Sequence, residues 1–241
     1  MNSTWSNRLA VVLFTLGILF GIALAGVIAW GDMEAALFDV AISPDAPLTT
    51  LRCPVMITTA ETTTVSATFD NPGEQPINLL VRAHISHGFV TWMREVNTRI
   101  PLAPGQTQRQ EWPVSPDDAA FGRVILVRIH AVRSGPLPYR AGSCGIVVLN
   151  LPFTTGKLLF AITLAIAVAG VGGGIGLWVA NHRPLIRKGL AVTRAMGLLV
   201  GVVSAAIVVG LLGMWLLGLV LLLLTVLLVG VLVGYVAVTA S

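Results

Sequence analysis

Two hydrophobic periodicities divide this chain. Residues 195–238 are apolar throughout and contain no Asp, Glu, Lys, Arg, His, Asn or Gln. As one helix, at ~1.5 Å per residue, the stretch would be about 65 Å long, roughly twice the hydrocarbon core of a bilayer. The pattern therefore predicts two helices folded as a hairpin, with the turn between Gly210 and Gly218. Two further charge-free runs are long enough to span. Residues 9–30 follow Arg8 and close on Trp30; residues 158–180 follow Lys157 and carry Trp178 near their end. Four membrane helices are expected, the first ending at residue 30 and the second covering residues 156–181.

Between the first two runs the period changes to two. Val65, Ala67 and Phe69 fall on one face, followed by the turn cluster Asp70-Asn71-Pro72-Gly73-Glu74. Ile77, Leu79, Val81, Ala83 and Ile85 then share a face opposite Asn78, Arg82 and His84. Further strands are predicted over residues 89–98, 108–114, 124–132 and 144–149, with Ile125, Val127, Ile129 and Ala131 facing inward. Short alternating strands with a turn signal about every ten residues predict an antiparallel β-sandwich over residues 51–152. Residues 31–50, with Asp32, Glu34, Asp39 and Asp45, form a connector.

The run Ile57-Thr58-Thr59-Ala60-Glu61-Thr62-Thr63-Thr64-Val65-Ser66-Ala67-Thr68-Phe69-Asp70-Asn71-Pro72-Gly73 resembles the early strands of bacterial immunoglobulin-like and fibronectin-III-like modules. Pro104-Gly105-Gln106 and the polar strand after it are similar to their later hairpin. The resemblance covers residues 51–150 and implies a fold. It implies no catalytic residue, because that fold hosts many functions.

Charge sets the orientation. All 11 acidic residues and nine of the arginines lie within residues 31–153. The other basic residues are Arg8, Lys157, Arg183, Arg187, Lys188 and Arg194, with no acid among them. Residues 182–194 thus form a basic loop of the kind that stays in the cytoplasm. The expected topology has both termini inside, in a cell (plasma or inner) membrane, with the β-domain outside. Arg183, Arg187, Lys188 and Arg194 are also candidates for anionic lipid headgroups. Basic residues beside spans are no argument for nucleic acid, and no such partner is expected. Ala23-Leu24-Ala25 has the small-x-small form of a signal-peptidase site, so retention and cleavage of the first helix both stay open.

The two cysteines, Cys53 and Cys144, stand at opposite ends of the β-domain. An even pair in an extracytoplasmic domain reads as one disulfide; two free buried thiols are the alternative. Small residues recur at four-residue spacing in every apolar run: Gly17 and Gly21, Gly170 and Gly174, Gly197 and Gly201, Gly230 and Gly234. Such faces let helices approach closely.

Chemistry is sparse. The glycines at 170–176 lie inside an apolar run, do not follow a strand and lack a Lys-Ser/Thr, which argues against a phosphate loop. His84 and His87, three apart on a strand, point to opposite faces; His130 is expected on an outward face near Arg128, and His182 in the basic loop. Asp117 and Asp118 are expected in a solvated turn. No catalytic, metal or cofactor set is legible, and no cofactor is expected. The expectation is a non-enzymatic accessory or assembly subunit that meets other membrane-protein subunits within the lipid bilayer. One alternative is an anchored adhesion or ligand-binding module using Trp92, Trp112 or Tyr139; another is a small channel or transporter-like component.

Overall fold

The computed structural model describes residues 3–39, 44–132, 137–183 and 187–240; the side chains of residues 3–4, 187–188 and 232–240 lie outside the description. The chain divides into a helical unit, Met1–Ala29 with Phe160–Ser241, and a β unit, Trp30–Leu159.

The helices are α1 (Ser3–Leu37), α2 (Gly156–Asn181), α3 (Arg187–Leu211) and α4 (Trp215–Ala240). Among the described residues, three helical stretches are long and apolar enough to cross a membrane: Trp5–Leu37, Gly156–Asn181 and Gly189–Leu211. The described apolar part of α4, Trp215–Val231, is shorter. Large apolar side chains stand on the outside, among them Leu19, Val168, Leu198, Leu223 and Leu227. A surface of that composition belongs in lipid or against protein. The turn between α3 and α4 falls at Gly213, whose φ is 76°. Met214 N–H donates to Val209 O (3.2 Å) and Gly213 N–H to Gly210 O (2.8 Å). This is the double closure that ends a helix on a left-handed glycine.

α1 continues past Trp30 to Leu37, so the polar pair Asp32 and Glu34 lies on its last turns rather than in a connector. Likewise α3 starts at Arg187, so Arg187, Lys188 and Arg194 sit in a helix and only the residues before them belong to a loop.

The β unit contains β1 (Ala46–Pro47), β2 (Met56–Thr58), β3 (Thr63–Asp70), β4 (Ile77–His87), β5 (Phe89–Leu102), β6 (Thr107–Val114), β7 (Val124–Ala131) and β8 (Arg140–Leu149). One sheet has the order β1-β8-β7-β4-β5, with β2 also on β8; β3 and β6 form a second sheet. The large sheet is mixed: β1 and β2 run parallel to β8, which corrects the expected all-antiparallel pairing. Val65, Phe69 and Trp112 from the small sheet share one apolar core with Val81, Ile85, Ile100, Ile129 and Ile146 from the large one. Cys53 and Cys144 are joined as a disulfide, with Cα atoms 6.5 Å apart.

β7 is buried along its whole length. Its odd-numbered apolar positions face the shared core. Its other face is covered where Ala35 and Phe38, at the end of α1, pack on Ala120, Val124 and Leu126. A strand covered on both sides reads as a continuous apolar run, and VILVRIHA has that form except at Arg128 and His130.

Candidate functional site

Those two exceptions build the site. Arg82 and His84 on β4 and Arg128 and His130 on β7 occupy the face turned away from the shared core, in adjacent strands, with Arg82 opposite His130 and His84 opposite Arg128. Period-two alternation requires this, since Ile85 and Ile129 take the inward positions. The face is not solvent, because Phe38 and Asp39, directly after α1, lie on it. Phe38 packs into it, and the next residue, Asp39, projects between the histidines.

Asp39 Oδ2 lies 2.5 Å from His84 Nδ1 and 3.0 Å from His130 Nε2. The two imidazoles are 4.9 Å apart, centroid to centroid. His130 Nδ1 meets the Tyr139 hydroxyl, and the two rings stack. His84 Nε2 is buried with no hydrogen-bond partner among the described residues; the nearest carboxylate oxygen, Glu95 Oε1, is 3.9 Å away. Arg128 Nη1 donates to Phe38 O (3.0 Å), fixing the backbone next to Asp39. Asp39 itself has φ of 50°. The left-handed region costs a non-glycine residue about 1–3 kcal/mol and is held only where surroundings enforce it.

The electrostatics follow from this crowding. Burial pushes the His130 ring below its usual range, the charges of His84 and Arg128 push the same way, and Asp39 opposes them. Burial alone would raise the Asp39 carboxyl, but hydrogen bonds and charge from both histidines bring it below the usual carboxylate range. Burial pushes the Tyr139 phenol up, so it stays protonated. Each of Asp39, His84 and His130 offers one ligand atom, and these atoms all lie within 4.8 Å of one another.

A second feature marks one end of the large sheet. β4 turns into β5 at Gly88, which has φ of 72°. Phe121 N–H donates to Gly88 O (2.9 Å), which brings the loop before β7 to this hairpin. Phe89 packs edge-on against both Trp92 and Phe121, at 5.3 and 5.7 Å between centroids. Trp92 is 62% and Phe121 65% exposed. Strand register puts this cluster at the end where β8 finishes, since Val124 pairs with Val147 and Ile85 with Val127. Leu151 and Phe153, exposed between β8 and α2, belong to the same end.

The small residues singled out from the sequence divide in two. A methyl group on Gly17 would meet Val171 N at 2.5 Å; one on Gly170 would meet Gly17 Cα at 2.9 Å, and one on Gly174 would meet Phe14 N at 2.6 Å. These three let α1 and α2 touch backbone to backbone. Gly21 faces Val203 of α3 at 2.8 Å. Gly197, Gly201 and Gly230 have nothing within 4 Å among the described residues, and the surroundings of Gly234 lie outside them. Arg183 and Arg194 are exposed; the side chains of Arg187 and Lys188 lie outside the described residues.

Three sequence expectations need correcting. His130 does face away from the shared core, but it is buried, because the segment after α1 covers that face. Asp118 is not a solvated turn residue: it is buried, accepts from Ser115 N–H (2.9 Å) and pairs with Arg94 (3.1 Å). Trp112 is core, whereas Trp92 is exposed and Tyr139 belongs to the histidine cluster. Sequence reasoning set His84 and His87 on opposite faces and did not bring His84 to His130. The signal for the real pair was a polar residue in each of two adjacent apolar strands, and it needed the strand order to be read.

Neither a scan against protein-family models nor a search of curated proteins finds a match to this chain.

Proposed function

We propose that this chain is a non-enzymatic accessory or assembly subunit of a larger membrane complex. In this reading four helices span a cell membrane with both termini in the cytoplasm, and an immunoglobulin-like sandwich stands outside. The observation that carries it is the unequal use of small residues. Gly17, Gly21, Gly170 and Gly174 are consumed by packing within the chain, while Gly197, Gly201 and Gly230 have nothing against them among the described residues. Without a hydrophobic drive between helices in lipid, small-residue faces are where neighbouring spans approach, so an unused face favours helices from another subunit.

The aromatic cluster supports the same reading over an adhesion module. Phe89, Trp92 and Phe121 stand at the sheet end from which the chain passes to α2, and aromatic side chains are favoured at headgroup level.

Extraction of the native membrane in mild detergent, native separation and mass spectrometry test the proposal. Co-migration with a fixed set of subunits is expected. Migration alone, at the mass of one chain plus detergent, sinks it and leaves the ectodomain to be screened for ligands.

A further inference from the structure

We propose that Asp39, His84 and His130 bind one divalent transition-metal ion of the zinc class, which fastens the segment after α1 to the central strands β4 and β7. Nitrogen and carboxylate donors in a two-to-one set suit zinc, cobalt or copper ions and not calcium or magnesium, which prefer oxygen throughout.

The spacing fits. Bonds of about 2.0–2.1 Å in tetrahedral array put donor atoms roughly 3.3 Å apart. Asp39 Oδ2 is 2.5 and 3.0 Å from the two histidine nitrogens, and all three donors lie within 4.8 Å. Shifts of less than about 1 Å bring them onto a common centre, with a fourth position left for water.

The outer atoms decide between an ion and a plain hydrogen-bonded cluster. Ligating histidines turn their other nitrogen to an oxygen, which fixes the tautomer and raises ligand basicity. His130 does so, its Nδ1 meeting the Tyr139 hydroxyl; His84 Nε2 has no hydrogen-bond partner among the described residues, and the nearest carboxylate oxygen, Glu95 Oε1, is 3.9 Å away. In the cluster without an ion, His84 must carry its proton on Nδ1 to reach Asp39. Its buried Nε2 lone pair then faces a carboxylate, with no donor to satisfy it among the described residues. With an ion bound, the proton sits on Nε2 and points at Glu95. His130 shifts in the same sense: Nδ1–H donates to the Tyr139 oxygen and Nε2 gives its lone pair to the ion. No proton is gained or lost in either tautomer change.

Arg128 is the cation that works against a dication here. Its Nη1 is held by Phe38 O, and the carboxylates of Asp39 and Glu95 oppose it.

The test uses the full chain in detergent, purified without a histidine tag, stripped by chelator and titrated with Co(II) and then Zn(II). One equivalent of Co(II) is expected, with the visible absorption of a low-coordinate site, displaced by Zn(II). His84→Ala and His130→Ala should weaken binding more than about 100-fold, and His87→Ala should not change it. Tyr139→Phe, which keeps the ring and the packing, should weaken binding about 10–100-fold at unchanged stoichiometry. Failure to retain one equivalent overturns the proposal, as does affinity that neither His84→Ala nor Tyr139→Phe alters. The inference is independent of the assembly reading: a chain that migrates alone still binds the ion.

Discussion

Asp118 and Arg94 form a forked ion pair that ties the two sheets together. Arg94 Nη2 donates to Asp118 Oδ2 (3.1 Å) and Oδ1 (3.2 Å), and Nε adds a contact to Oδ1 (3.3 Å). Arg94 lies on β5 in the large sheet; Asp118 closes the 3-10 turn that follows β6 of the small one. Asp118 is buried and also accepts from Ser115 N–H. Asp118→Ala leaves Ser115 N–H without its acceptor and leaves the guanidinium only its bond to Pro113 O (3.0 Å), and should cost about 2 kcal/mol, less than a fully buried pair because Arg94 is partly exposed. Chemical denaturation of the variant checks this; Asp117→Ala, at an exposed neighbour, should cost under about 0.5 kcal/mol.

The bond between Cys53 and Cys144 closes a loop with a sequence separation of 91. Closing a loop of that length removes denatured-state entropy worth roughly 4–5 kcal/mol on the chain-entropy model. Reduction, or the double change Cys53→Ser and Cys144→Ser, should lower the melting temperature of the β unit. Melting curves with and without reductant read the effect, and no shift would show that the bond does not constrain the unfolded chain.

Gly170→Leu and Gly197→Leu should separate internal packing from assembly. The first drives a side chain into Gly17 and Leu13 and should destabilise the chain itself. The second enters open space and should leave the thermal stability of the isolated chain unchanged while removing co-migrating subunits. Size-exclusion profiles and melting curves of both variants distinguish them.

Metal-free protein should weaken in acid in two stages. His130 is held below its ordinary value of 6.5, chiefly by burial, so on acidification the unfolded chain takes up the proton first. Its contribution is complete above about pH 6.5 and is lost as pH falls from there through the lower folded value. Asp39 adds a second stage. Burial would raise its carboxyl, but the two histidines bring it below its ordinary 3.8, so its contribution is present above 3.8 and lost as pH falls through the folded value. Melting temperature against pH in chelator should fall below about pH 6.5, and His130→Ala should remove that first limb.

The hydrophobic pattern alone determined where the chain is apolar enough to cross a membrane and where it alternates as strands. The facing of Val65, Ile85 and Ile129 into one core follows from period two, because a one-residue slip would put charge inside. The pairing of Cys53 with Cys144 was legible because no other cysteine competes. Tertiary structure decided what covers the second face of β7. Alternation assigns His130 and Arg128 to the face away from the core, but it cannot say that Phe38 and Asp39, 91 positions before His130, return to close it. Asp39 takes a left-handed backbone that its residue type does not demand, and among the described residues the Arg128 bond to Phe38 and the two histidines hold it. The same limit hid Asp118, whose burial depends on Arg94 arriving from the other sheet. Local patterns record which way a side chain points; which distant segment meets it is set by strand order and chain crossing, and those are properties of the packed whole.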